Sequence, residues 1–250
     1  MRGSVFIRAK EGYGDEIKEK VIKLMKEYGM KIVDDSEKAD LAIMIGGDGT
    51  LLKYQSTLKC PILGINPGQS VGYYMKANDK DFEKKIIKIL EGKLGSDYFI
   101  FDLMRLETYV NDRQLKFLAL NEVLISSIYT RRILKAELEV NGKMSIEHCS
   151  GIIIYTPTGS NAFAHSAGAK KILYNENIFG IVGLAPYIGV LKKGPILTQK
   201  DVIVIPISEL AEICIDGQEN QVKIVNSGDT IVVKKSANPV SIIGFSREFE

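Results

Sequence analysis

The stretch LAIMIGGDGTLL, residues 41–52, runs five apolar residues straight into three glycines arranged around one aspartate. A strand of near-continuous hydrophobic character is one buried on both faces, the habit of parallel sheets flanked by helices. In such sheets ligands gather beyond the carboxyl ends of the strands, so this strand delivers Asp48 to where a ligand sits. Gly46, Gly47 and Gly49 remove the Cβ atoms that keep a bulky anion off the backbone. The N–H groups of Gly49, Thr50 and Leu51, at the start of the next helix, are then open to phosphate oxygens. A carboxylate repels phosphate, and its presence makes sense where the ligand also brings a hydroxyl or a Mg²⁺ ion. The bland alternative is a strand-to-helix turn in which Asp48 only caps the helix, and the five letters by themselves leave that open. Other phosphate motifs are missing: GGDGTLLK lacks the G-x-x-x-x-G-K-[ST] spacing and EGYGDEI stops short of G-x-G-x-x-G.

Around this motif the first ninety or so residues alternate strand and helix. Ser4–Ala9, 30–33, Leu41–Ile45 and 61–65 read as strands, and 50–57 as a short helix. In DEIKEKVIKLMKEYG, Ile17, Val21, Leu24, Met25 and Tyr28 form one helical stripe stopped by Gly29, and a further helix runs from a cap at Asn78 or Asp79 to Glu91. After Gly95 the rhythm changes to short β-prone runs at 103–110, 115–127, 134–140, 144–148, 151–155, 202–207, 212–215, 221–225 and 230–234. Turn pairs Asn111-Asp112, Asn141-Gly142 and Asp216-Gly217 punctuate them. The expectation is an α/β domain with a parallel sheet over 1–95, then a β-rich, sandwich-like, mostly antiparallel domain over 96–235. The run VSIIGF in the closing segment 236–250 fits either sheet, so that segment is free to pack on the first domain.

Lys plus Arg, at 33, nearly cancels Asp plus Glu, at 31, so no global charge calls for nucleic acid or an anionic membrane, and any anion is held locally. The opening residues are too short an apolar run for a signal peptide and no stretch has spanning length, which points to a cytoplasmic protein. Cys60, Cys149 and Cys214 are odd in number and scattered, as reduced thiols are, and with only His148 and His165 beside them no zinc site is expected.

GGDGT resembles the signature shared by NAD kinases, diacylglycerol and sphingosine kinases and, more distantly, phosphofructokinases, and alone does not choose among them. Further along, Asn121-Glu122, TPTGSNAFAHSAG at 156–168 and DGQ at 216–218 occur in the order and approximate spacing of NAD kinases. GINPGQSVGYY resembles that family's glycine-rich segment. The resemblance, running from Gly46 to Gln218, implies a Rossmann-like first domain of the phosphofructokinase and diacylglycerol-kinase kind followed by a β-sandwich-like, NAD-binding domain. It implies phosphoryl transfer to the 2′-hydroxyl of the adenosine ribose of NAD, giving NADP, with Asp48 as the base or orienting carboxylate. ATP or inorganic polyphosphate would be the donor, with Mg²⁺ or another divalent cation as cofactor. A homodimer or homotetramer is implied too.

By the same resemblance Asp48 and Gly49 contact NAD and Asn121 and Glu122 hold the nucleoside, while Gly46, Gly47, Gly49 and Thr50, read from the bare turn itself, face phosphate. Lys53, Arg132 and His148 fall where the family places polar or basic contacts near phosphate, although each alone reads as a solvated surface residue. Asn161, Ala162, Phe163, Ala164, His165 and Ser166 grip the dinucleotide, Phe163 offering a face for stacking and His165 reading as a packed or surface histidine. Tyr73 supplies an aromatic wall, and Ala185 and Gln218 fall at or near family ligand contacts. Departures concern the nicotinamide end: Ser150 stands where the family has aspartate, Asn161 where it has threonine, Phe163 where it has tyrosine, and NPGQSVGYYM is one residue longer. Two competing readings are a GGDGT-type lipid or small-alcohol kinase, and a non-catalytic dinucleotide-binding protein for which Ser150 gives a foothold.

Overall fold

A computed structural model describes residues 3–68, 72–129, 131–207 and 210–249. The chain divides into two compact units, Met1–Leu103 with Val240–Glu250, and Met104–Pro239.

The first unit opens with β1 (Ser4–Ala9), α1 (Asp15–Glu27), β2 (Lys31–Val33), β3 (Leu41–Ile45), α2 (Asp48–Tyr54), β4 (Ile62–Asn66), β5 (Met75–Asn78), α3 (Phe82–Glu91) and β6 (Phe99–Leu103). α1 starts with Asp15 and Glu16 at its positive end and closes through Gly29, whose φ of 73° lets its N–H return to Lys26. Its stripe seats Val21 and Met25 out of water, worth about 1.5–3 kcal/mol each. Ile17 and Leu24 flank them, and Tyr28 lies outside, its hydroxyl donating to Glu91. β3 is buried along its whole length, as its composition demands. The helix expected over 50–57 begins at Asp48, and its last three residues, Gln55–Thr57, tighten to a 3₁₀ turn. The helix expected from Asn78 or Asp79 begins at Phe82. Asn78 is the end of a strand, and its side chain makes a turn, accepting from Lys80 N–H at 2.9 Å, while Asp81 accepts from Asn78 N–H at 2.8 Å.

The second unit contains β7 (Leu106–Val110), β8 (Arg113–Gln114), β9 (Glu122–Ser127), β10 (Leu134–Val140), β11 (Lys143–Cys149), β12 (Gly151–Tyr155), α4 (Phe163–Ser166), β13 (Phe179–Leu184), β14 (Ile196–Thr198), β15 (Val202–Pro206), β16 (Ala211–Ile215), β17 (Val222–Val225) and β18 (Ile231–Lys235). They form two six-stranded antiparallel sheets, ordered β11-β10-β15-β18-β7-β8 and β14-β13-β12-β9-β16-β17. One core joins inward residues of both, among them Leu138, Val204 and Val233 from the first and Ile125, Ile152 and Ile213 from the second. β12 is buried on both faces because Ile153 and Tyr155 meet a separate cluster of Ala164, Ile172 and Val182 on the side away from that core. The run 103–110 splits between two units at Met104, and only the end of 115–127 is strand. The strands at Met75–Asn78, Phe99–Leu103, Phe179–Leu184 and Ile196–Thr198 were not expected from the sequence pattern.

The last strand, β19 (Val240–Gly244), settles where VSIIGF belongs: it lies in the first unit's sheet, parallel to β4 and antiparallel to β6. The order there is β2-β1-β3-β4-β19-β6, with β5 also paired to β4, so the parallel sheet carries one antiparallel edge. Among the described residues no helix is long and apolar enough to cross a membrane.

One close contact tests the second unit's packing. Tyr155 lies directly opposite Gly180, and a Cβ on that glycine would fall 2.0 Å from the Tyr155 ring. Gly180→Ala is expected to cost about 1–3 kcal/mol by overpacking. At about 2–4 °C per kcal/mol for a chain of this size, calorimetry should show a clearly lowered Tm.

Candidate functional site

In the first unit β3 ends at Ile45 and the chain turns sharply. Gly46 has φ 153°, and a Cβ there would fall 2.4 Å from the Thr50 hydroxyl. Gly47, not Asp48, is the N-cap of α2, and Asp48 is the first residue of the helix, so the capping role considered for Asp48 is not the one it plays. Asp48 reaches instead to the glycine-rich segment: its two oxygens accept the backbone N–H groups of Tyr73 at 2.8 Å and Tyr74 at 2.9 Å. Gly72 makes room, since a Cβ there would stand 3.2 Å from Asp48 Oδ1 and 2.5 Å from Met75 Cγ. Burial raises the Asp48 pKa, while the Tyr74 and Tyr73 N–H groups and the Lys76 charge pull the other way. The carboxylate is thus fixed in direction and more basic than a free aspartate.

Thr50 spends its N–H on Gly47 O at 2.9 Å, so that donor is not open to phosphate as the sequence suggested. Lys53 is exposed at the end of α2, its ammonium 5.7 Å above the Tyr54 ring. Tyr73 packs edge to face against Tyr74 and Phe249. Gln69, Ser70 and Val71 of the glycine-rich motif lie outside the described residues.

In the second unit a turn after β16 organises three motifs. Asp216 and Gly217 have φ of 52° and 63°. The Asp216 carboxylate accepts the N–H groups of Leu120 (2.9 Å), Asn121 (2.7 Å) and Glu122 (3.2 Å). Thr156 Oγ1 donates to Leu120 O at 2.6 Å and accepts Gly159 N–H at 2.9 Å, while Thr156 N–H donates to Asn121 O at 2.9 Å. Thr158 Oγ1 also donates to Leu120 O, at 3.1 Å. A Cβ on Gly159 would fall 1.9 Å from Asn121 O, so the glycine of TPTGS is required by backbone contact. Asn121-Glu122, TPTGS and the DGQ turn are therefore one hydrogen-bonded assembly, with Gln218 returning its amide to Asp216 O at 3.2 Å.

Glu122 is 5% exposed, and its Oε2 has no hydrogen-bond partner among the described residues. Burial, then the Asp216 charge, push its pKa up to about 8. A buried carboxyl with a vacant oxygen is what a polar ligand would complete.

The segment after TPTGS divides its residues. Phe163 is 44% exposed, and Asn161, His165 and Ser166 are also on the surface. Ala162 is half-buried, and Ala164 is sealed against Ile153, Tyr155 and Val182, so the Ala164 side chain packs the core and offers no surface to a ligand. A second group forms where β11 and β12 meet β13. Ser150 N–H donates to Leu184 O at 2.8 Å, Ala185 follows with a left-handed φ of 47°, and His148 exchanges backbone bonds with Tyr187 and Ile188. Arg132 is exposed, its guanidinium 5.1 Å over the Tyr129 ring.

Three organising residues escape sequence reading. Asp216 appears there as a turn signal and as the first letter of DGQ, with no role given to its carboxylate. The Tyr74 contribution is a backbone N–H. Glu147, fully buried, accepts Ser145 Oγ (2.7 Å), Val190 N–H (2.9 Å) and Leu191 N–H (3.2 Å), latching the loop that carries Ala185. No group of three or more His, Cys, Asp or Glu is placed to hold a metal ion among the described residues. Cys60, Cys149 and Cys214 are free thiols.

Comparison with known proteins agrees over both units. The family description "ATP-NAD kinase N-terminal domain" matches residues 8–94, and "ATP-NAD kinase C-terminal domain" matches 120–245. The chain is 31% identical over 205 residues to the NAD kinase of Thermoplasma volcanium, covering 82% of this chain and 70% of that one. It is 34% identical over 217 residues to that of Methanoregula boonei, covering 84% and 76%. Among solved structures, an NAD kinase from Archaeoglobus fulgidus in complex with ATP superposes with a TM-score of 0.78 at 25% identity, over 99% of this chain and 94% of that one. Yeast NADH kinase complexed with NADH shares the fold, with a TM-score of 0.83 at 15% identity over 98% and 84%. With both family domains matched in order and the GGDGT, NE, TPTGS and DGQ motifs built into ordered structure, the chain belongs to the NAD kinase family and is an NAD⁺ kinase, a phosphotransferase.

Proposed function

We propose that Asp48 is the residue that takes the proton from the 2′-hydroxyl of the adenosine ribose of NAD as that oxygen attacks the terminal phosphorus of ATP. The new bond joins the ribose oxygen to phosphorus, the bond to the leaving ADP oxygen breaks, and the proton passes to the Asp48 carboxylate. The observation behind this assignment is that two backbone N–H groups fix the Asp48 oxygens while burial raises their basicity. Phosphoryl transfer depends mainly on positioning and charge neutralisation, so a modest base with fixed direction suffices. ATP is proposed as donor because the Archaeoglobus relative is in complex with ATP. No group of three or more His, Cys, Asp or Glu side chains is placed to hold Mg²⁺ among the described residues, so the cation would be held chiefly by the ATP phosphates, where it would neutralise charge on the transferring group.

Asn121 and Glu122 are proposed to hold the nucleoside, Glu122 with its carboxyl protonated at neutral pH and able to donate as well as accept. Phe163, Asn161 and Ser166 offer exposed ring, amide and hydroxyl surface to the dinucleotide. Ser150 keeps a hydroxyl where the family has a charge, and Ala185 stands beside it. A homo-oligomer is part of the proposal, and Met144 and Ile146, 67% and 52% exposed on edge strand β11, give it an apolar rim. The lipid-kinase reading is not favoured, since Asn121-Glu122 and TPTGS are both present and joined through Asp216 and Thr156, and the non-catalytic reading is not favoured, since Asp48 is intact.

Two measurements test this reading. In an assay of purified protein with NAD, Mg²⁺ and ATP, coupled to an NADP-specific dehydrogenase, Asp48→Asn should fold normally and lose roughly a hundredfold or more in turnover. Wild-type turnover in that variant removes Asp48 from the role, and a parallel arm with polyphosphate tests the donor.

The second concerns Glu122. Its folded pKa is raised from 4.5 to about 8, so its contribution to stability is complete below the ordinary carboxyl range and is lost as pH climbs through about 8. Glu122→Gln is neutral at every pH and escapes that loss. Thermal unfolding should therefore show the variant gaining on wild type as pH rises from about 4.5 to about 8 and levelling off above that; a pH-independent difference means that Glu122 ionises normally in the fold.

A further inference from the structure

The Tyr73 and Tyr74 N–H groups that hold Asp48 lie just ahead of the ladder between β4 and β5, whose first register pair is Gly64 with Met75. Contacts beyond the ladder therefore bear on that short backbone stretch. On one side it is closed by Gly64, where a Cβ would stand 2.8 Å from Tyr74 O. The Tyr73 and Tyr74 rings meet a cluster built around Phe249, in the segment that follows β19. The Phe249 ring is 5.3 Å from Tyr73, 6.4 Å from Tyr74 and 5.4 Å from Phe101, centroid to centroid, with the Tyr73 and Phe101 contacts edge to face. The Lys76 ammonium sits 3.9 Å over the Phe249 ring and 5.3 Å over Tyr73. Phe249 is 6% exposed, and Tyr74 is fully buried beside it.

We propose that Phe249 is a positioning residue for Asp48: its ring, seated on Phe101 and covered by Lys76, sets the Tyr73–Tyr74 backbone whose two N–H groups aim the carboxylate. This rests on Asp48 being the base. Phe249 touches no reacting atom. The same lysine that covers the ring also lowers the Asp48 pKa by its charge, so one cluster governs both the direction and the basicity of the carboxylate. The charged and titratable groups bearing on Asp48 are Lys76 and the Tyr73 phenol, whose own pKa is raised by burial and then by Asp48.

The experiment compares Phe249→Ala, Phe249→Leu and Phe249→Tyr with wild type for kcat, KM for NAD, the pH dependence of kcat and Tm. Loosened N–H donors leave Asp48 less directed and harder to ionise. Phe249→Ala should lose about tenfold to a hundredfold in kcat, the scale of small misplacements, with KM for NAD within about twofold and the acid limb of the kcat profile moved to higher pH. Phe249→Tyr keeps the ring and should restore both. If the alanine variant fails to fold, Phe249→Leu, which keeps bulk but no ring, carries the same expectation. A folded Phe249→Ala or Phe249→Leu protein with wild-type kcat and an unmoved acid limb overturns the proposal, as does a variant whose KM rises while kcat holds. Asp48→Asn run alongside separates the two ideas. Loss there with unaltered Phe249 variants sinks only the positioning role, and full turnover in Asp48→Asn sinks both.

Discussion

A buried carboxylate that gathers consecutive backbone N–H groups is the interaction on which the assembly of Asn121-Glu122, TPTGS and the DGQ turn depends in the second unit. Asp216 takes three of them, from Leu120, Asn121 and Glu122. Hydrogen bonds to a charged acceptor contribute about 1.5–3 kcal/mol each and leave a heavy desolvation cost if one partner is removed. Those N–H groups precede and open β9, so the Leu120–Asn121 stretch stays out of the ladder, and its carbonyls are left for Thr156 and Thr158. The left-handed Asp216-Gly217 turn is what aims the carboxylate, and it is tolerated because an aspartate and a glycine are among the residues that accept positive φ most readily.

The first unit uses the same chemistry with fewer donors and a different balance. Asp48 receives two N–H groups, one per oxygen, and burial still outweighs them together with Lys76. A carboxylate more fully coordinated by donors would be better held and less basic. Two donors fix its plane while leaving lone pairs and basicity for a hydroxyl. Thr50, by contrast, closes its N–H inside the helix, so the turn is less open as an anion cradle than its glycines suggest.

What the sequence makes legible is local. The all-apolar run before GGDGT reads as a two-sided strand, and the Val21 and Met25 spacing reads as a buried helix face, because each needs only its neighbours to be interpreted. GIIIY is legible as a strand but not as one buried on both faces, because its second cover, Ala164, Ile172 and Val182, comes from beyond the strand. Partnerships across long separations are not legible. VSIIGF pairs with β4 and β6 through backbone groups common to every residue, so nothing in its letters selects a sheet. Asn78 carries helix-cap chemistry but spends it on a turn with Lys80 and Asp81. Ala164 sits inside a ligand-like motif yet faces the core, since a short helix hides one residue in every turn.

The glycines complete the case for a ligand at Asp48. At Gly46, Gly72 and Gly159 the missing side chain is explained from within, because a hydroxyl, a methionine or a carbonyl already occupies the place of a Cβ. At Gly12 and Gly29 the backbone is left-handed, which favours glycine without any neighbour. Gly49 has neither reason: it is exposed at the second position of α2, and among the described residues a Cβ there would meet nothing within 4 Å. A glycine inside a helix costs about 0.5–1 kcal/mol relative to alanine. Gly49 lies in the first turn of α2, where that cost is smaller than mid-helix, and no described residue takes the place of its missing Cβ. A bulky phosphate or ribose brought against the backbone beside Asp48 is the occupant that gives this residue a physical reason, and it is the ground for proposing Gly49 as a ligand contact.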